Sequence, residues 1–111
     1  MSHISFEEFK KLDIRIGTIL TAESVPETDK LIHITVDIGQ DEPRNIVAGL
    51  KDYYQPEDMI GKQIAVIVNL APRRMRGIMS NGMLLAASTE DFETVKLLTV
   101  DGTMPAGSKV S

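Results

Sequence analysis

Two stretches of strict period-two alternation constrain this chain more than any other feature. Ile32, Ile34, Val36 and Ile38 alternate with His33, Thr35 and Asp37, and Ile64, Val66, Val68 and Leu70 alternate with Ala65, Ile67 and Asn69. Successive side chains on a strand point to opposite faces, so each stretch reads as a strand with one apolar face to bury. Leu12, Ile14 and Ile16 open another strand, and the parity slips beyond Gly17, which predicts a bulge or bend at that glycine. Arg44 to Leu50, Gly82 to Ser88 and Val95 to Val100 complete a set of five or six short strands. Two short helices interrupt them. Ser5 and Glu8 form a capping box that opens a helix ending near Lys11, with Phe6 and Phe9 sharing its buried face. Gln55 to Gly61 has Pro56 at its start, acids in the first turn and glycine past its end.

A sheet this small buries its apolar face by curling on itself, helped by bends at glycines. One short helix between the third and fourth strands suits an all-β, five-stranded Greek-key OB-fold barrel with short helices and terminal extensions. An SH3-like or split barrel competes, because pattern alone does not set strand order. With no repeat, linker or low-complexity tract, residues 1–111 read as a single domain.

Composition narrows the functional classes. The chain has no Cys, hence no disulfide, thiolate metal ligand or Cys nucleophile. No apolar run is longer than Ile64 to Val68, which falls far short of the roughly 20 residues that span a membrane. The N-terminus has no signal-peptide pattern, so a cytoplasmic protein without membrane contact is expected. The net charge of −4 argues against a general nucleic-acid coat, but it is unevenly distributed. No Asp or Glu occurs from Met59 through Thr89, where Lys62, Arg73, Arg74 and Arg76 all fall. An acidic protein with one basic segment can focus a local field on one face. Chance clustering on a solvated face is the competing explanation.

Catalysis finds little support. Gly77 stands one residue too far from Ser80 for a nucleophile elbow, and only His3 and His33 exist as imidazole bases. Pro56 occupies the place of a phosphate loop's first glycine, and Gln63 replaces its Ser/Thr. Asp37, Asp41 and Glu42 follow no calcium-loop spacing. The expectation is no catalytic residue, no cofactor and no metal.

The informative block runs from Val68 to Ala87. A strand delivers Asn69 to its end, Pro72 forces extension, and Arg73, Arg74 and Arg76 follow. Guanidinium forks suit phosphate oxygens, while Ser80 and Asn81 offer uncharged donors and acceptors. An ordinary basic connecting loop would look the same. The chain's five aromatics all lie outside Met59–Thr89, which disfavours base stacking on generic single strands. Reading the shape and backbone of folded RNA stays open, with Met79 and Met83 as soft apolar surfaces.

These residues together resemble the tRNA-binding domain family. The resemblance rests on Leu12-Asp13-Ile14-Arg15-Ile16-Gly17, Asp29-Lys30-Leu31, Ile46-Val47-Ala48-Gly49-Leu50, Asn69-Leu70-x-Pro72-Arg73 and Gly77-x-x-Ser80-x-Gly82-Met83-Leu84-Leu85-Ala86, and it extends from about Phe6 to Val110. The family includes the C-terminal domain and free-standing beta-subunit forms of methionyl-tRNA synthetase, structure-specific tRNA-binding proteins, and CsaA-type chaperones. The resemblance implies an OB-fold that binds folded tRNA without catalysis, usually as a homodimer, with a methionyl-tRNA synthetase catalytic subunit as a further partner. By matching position, it implies a tRNA surface of Lys30, Asn69, Arg73, Arg74, Arg76, Ser80 and Met83, and a dimer interface at Phe6, Phe9 and Val110. Arg74 stands where the family often has lysine, which keeps the charge but not the fork. Chaperone relatives tend to lack the complete Ser-x-Gly-Met-Leu-Leu-Ala run that this chain carries; a CsaA-like chaperone for unfolded or export-bound polypeptide is the alternative.

Overall fold

The computed structural model describes residues 2–111. The elements follow in the order α1 (Phe6–Phe9), β1 (Ile14–Ser24), β2 (Ile32–Asp37), β3 (Arg44–Ala48), α2 (Pro56–Met59), β4 (Gln63–Ile67), β5 (Arg73–Met75), β6 (Ile78–Ser80), β7 (Met83–Leu84), β8 (Ala86–Ser88), β9 (Val95–Leu97) and β10 (Lys109–Val110). The main sheet is antiparallel in the order β3-β2-β1-β4-β7, with β10 added beside β1. Strand β7 returns toward β3, giving the Greek-key order of the expected OB barrel.

Strand β1 serves two partners because it is long enough to bend. Its first half pairs with β4, from Ile14 opposite Ile67 to Thr18 opposite Gln63, and its second half pairs with β2. Gly17 stays in register opposite Ile64, and the slip comes later, between Ile19 and Thr21. The expected bulge is therefore displaced to Leu20, which the extra residue leaves 44% exposed. The inward positions Ile19, Ile32, Ile34, Val36, Ile46, Ile64 and Val66 fill the barrel, and Met59 of α2 plugs it.

The extended stretch after Pro72 is a hairpin, β5–β6, which the count of strands from the sequence did not include. Two expectations are corrected by the structure. The strand starting at Gln63 ends at Ile67, so Leu70 leaves the inner face and is 44% exposed. The α1 face carrying Phe6 and Phe9 is not buried in the single chain: α1 has no buried residue, Phe6 is exposed, and the two rings stand 6.1 Å apart. The capping box itself forms as predicted, with the Ser5 hydroxyl accepting from the Glu8 N–H and the Glu8 carboxylate accepting from the Ser5 N–H.

Gly82 sets where β7 lies. Its φ is +134°, and a β-carbon there would stand 2.7 Å from the Ile67 carbonyl oxygen. Only glycine lets the chain pass this close to β4. We expect Gly82→Ala to cost at least about 2 kcal/mol through combined backbone strain and clash. Thermal unfolding should show a midpoint lowered by roughly 8 °C or more, at the sensitivity of about 4–8 °C per kcal/mol usual for domains near this size.

Candidate nucleic-acid interface

Pro72 keeps the chain extended as it leaves the barrel, and β5–β6 then turns through Arg76 and Gly77, at φ 51° and 80°. Two successive left-handed residues make the tight turn whose twist matches a hairpin. Arg73 pairs with Ser80, Arg74 with Met79 and Met75 with Ile78. Alternation places Arg74 and Met79 on the outer face, Arg73 on the side of Ser80, and Arg76 at the tip. All three arginines are exposed, and none forms an ion pair among the described residues. The one local signal for the hairpin is Arg76-Gly77 set between the apolar pair Met75 and Ile78.

Ser80 is not on the surface. It is 3% exposed, and its hydroxyl accepts from the Val47 N–H at 3.1 Å and faces the Gly82 carbonyl at 3.4 Å. Beside it the Asn81 N–H donates to the Asn45 carbonyl at 2.7 Å. The Arg44 guanidinium donates through Nη1 to the Val68 and Asn81 carbonyls. These bonds fasten the hairpin base to β3 where no strand ladder does so. Sequence reasoning missed Arg44, since nothing local to it signals partners so far along the chain.

Asn69 is likewise engaged inside the protein. Its Oδ1 accepts from the Asp13 N–H at 2.9 Å, and its Nδ2 donates to the Lys11 carbonyl at 2.7 Å. It pins the segment between α1 and β1 to the end of β4. Met83 is half-buried, opposite Ile67 and packed on the core. Lys30 lies beyond the Ala48 end of β3, where its Nζ stands 3.0 Å from Asp52. That bond raises the Lys30 pKa, but the pair is exposed and holds the lysine only weakly.

The structure thus gathers Arg73, Arg74 and Arg76 on one projecting hairpin, with Asn69, Ser80 and Met83 supporting its base and Lys30 set apart. No group of three or more His, Cys, Asp or Glu residues that could hold a metal occurs among the described residues. No described helix is long and apolar enough to cross a membrane. We expect Ser80→Ala to strand the buried Val47 N–H and cost about 1–3 kcal/mol. Its thermal midpoint should fall, while RNA affinity measured well below that midpoint stays within about twofold of wild type.

The model of the family described as "Putative tRNA binding domain" matches residues 14–109. The chain is 47% identical to the methionine–tRNA ligase of Methanocaldococcus jannaschii over 110 residues, and 48% identical to that of Thermotoga maritima over 108. These matches take in 99% and 97% of this chain but only 17% of each ligase, so the chain spans about a sixth of these curated relatives. Among solved structures, a MetRS-related protein from Pyrococcus horikoshii is similar over the full length of both chains, with TM-score 0.93 and 39% identity. The chaperone CsaA from Bacillus anthracis is similar over 99% of this chain and 100% of its own, with TM-score 0.89 and 35% identity. The match over residues 14–109, on a barrel with the expected strand order, means that this chain belongs to the tRNA-binding domain family.

Proposed function

We propose that residues 1–111 form a single non-catalytic tRNA-binding module that serves methionyl-tRNA synthetase in the cytoplasm, as a free-standing beta subunit or a trans-acting tRNA-binding protein. The observation that carries this reading is the β5–β6 hairpin: three exposed guanidiniums without ion-pair partners among the described residues, on a chain whose net charge is −4. Such forks grip phosphate oxygens, and the acidic remainder repels RNA from the other faces. Arg73, Arg74, Arg76 and Lys30 make the contacts, while Asn69, Ser80 and Met83 hold the surface in shape. The synthetase chemistry belongs to another chain.

The module works as a homodimer in this reading. Phe6, Phe9, Leu12, Ile14 and Val110 border an apolar groove of about 430 Å³ at the paired chain termini. An exposed Phe6 beside such a groove is surface that a second copy would cover. A chaperone reading draws on the same groove and on the likeness to CsaA. The two differ in salt dependence, since apolar capture of polypeptide releases few counterions.

Fluorescence anisotropy of labelled folded tRNA, titrated across salt and against unstructured RNA of equal length, tests the main reading. Binding should prefer folded tRNA and weaken steeply with salt. Arg73→Ala/Arg74→Ala/Arg76→Ala should reduce affinity about 100-fold and flatten the log–log salt slope by about three units, one per lost phosphate contact. Wild-type-like binding by this variant would overturn the assignment. Sedimentation should show a dimer for the wild type and a shift toward monomer for Phe6→Glu/Phe9→Glu.

A further inference from the structure

A polar cleft of about 330 Å³ opens between the β2–β3 turn, the end of β4 and the C-terminal segment at Ala106–Gly107. Its walls are held rigidly. Gly39 and Gly107 pack backbone to backbone, and the Gly107 N–H donates to the Ile16 carbonyl at 2.7 Å. Most polar side chains lining it are already engaged. Arg15 donates Nε and Nη2 to the Asp13 carboxylate and Nη1 to the Gly107 carbonyl. Lys109 also reaches Asp13, and the Asn69 amide is taken up by Asp13 and Lys11. With two cations on one carboxylate, Asp13 presents no free negative charge to the cleft.

Arg44 differs from the others. Only its Nη1 donates, to the Val68 and Asn81 carbonyls, and it forms no ion pair among the described residues. Its Nε and Nη2 have no protein acceptor among the described residues. No fully buried side-chain nitrogen or oxygen among the described residues lacks a partner, so this free edge is reachable by solvent. A half-buried guanidinium without a counterion is partly desolvated, and an anion placed on it offsets that cost. The exposed Gln40 adds an amide at the cleft mouth. Arg44 also grips Asn81, the residue after the Ser80 that pairs with Arg73, so the cleft and the arginine hairpin share one base.

We propose that this cleft is a phosphate subsite for the RNA strand lying on the β5–β6 hairpin, with the free edge of Arg44 and the Gln40 amide as its donors. The inference rests on the RNA-binding reading above and extends its footprint across the barrel end. The site takes one phosphodiester of the bound RNA rather than a free nucleotide.

The test is anisotropy with labelled folded tRNA at several salt concentrations, using Gln40→Glu and Gln40→Lys. Both change charge at an exposed turn without touching the core. Gln55→Glu is the control: it carries the same charge change on exposed surface at the N-cap of α2, at the opposite end of β3 and β4. Gln40→Glu should weaken binding about fivefold or more at low salt, Gln40→Lys should strengthen it and steepen the slope by about one unit, and Gln55→Glu should shift affinity less than twofold. Arg44→Lys, which keeps the charge but loses the fork, should also bind more weakly while thermal unfolding confirms that it folds. Wild-type binding with Gln40→Glu no worse than Gln55→Glu overturns the cleft assignment alone. Uridine monophosphate at a phosphate concentration equal to that of the tRNA that fails to compete supports an RNA phosphodiester, and competition at that concentration overturns that choice of ligand. Absence of wild-type tRNA binding overturns the RNA-binding reading and this inference with it.

Discussion

Between β3 and the β6–β7 segment the sheet has no continuous ladder, and the Ser80 hydroxyl supplies what the backbone does not. It satisfies the Val47 N–H inside the wall, while the Asn81 N–H and the Arg44 guanidinium complete the join on either side. An open seam would leave strand edges and the apolar interior exposed to water, and a backbone N–H buried without a partner is costly. The hairpin that carries the arginines grows from this join. The hydroxyl beneath it contributes to the stability of that join and leaves contact with a ligand to the exposed side chains.

The same economy is visible at the termini. The Asn69 side chain reaches two backbone groups ahead of β1, and β10 pairs with the start of that strand from the other side. Asp13 sits between Arg15 and Lys109, and the Arg15 hydrogen bond, followed by that of Lys109, holds its carboxyl below the usual carboxylate range. A depressed carboxylate pKa contributes stability above its unfolded value that is lost as pH falls through the folded one. At neutral pH the Asp13 carboxylate is ionised, and its bonds to Arg15 and Lys109 anchor both chain ends beside the cleft.

The alternating stretches made the barrel readable. Strand β2 is strictly periodic, and the residues read as inward are buried in both β2 and β4; the departures are Leu70, which follows the end of β4, and Ala65, which is buried on the other face of that strand. The helices carried their own punctuation in Ser5, Glu8 and Pro56. The hairpin was harder, because each strand spans only three residues and too few alternations accumulate to distinguish it from a loop. The run from Gly82 to Ser88 looked like one strand but divides at Leu85, whose N–H bonds to Ala65 while the following residues turn to pair with β9.

What the sequence by itself determined was everything that depends on neighbours a few residues away. That includes the strand periods, the two helix caps, the isolation of the arginines from acids along the chain, and the motifs of the tRNA-binding domain family. What only the tertiary structure decided was the use of polar residues whose partners lie far along the chain. Asn69 works 56 and 58 residues from its partners, Ser80 works 33 residues from Val47, and Arg44 works 37 residues from Asn81. A hydrogen bond forms between groups brought within about 3 Å, and no local pattern records which distant backbone group the fold will deliver there. Exposed arginines and buried serines therefore looked alike as candidate contacts until the barrel closed around one and left the others outside.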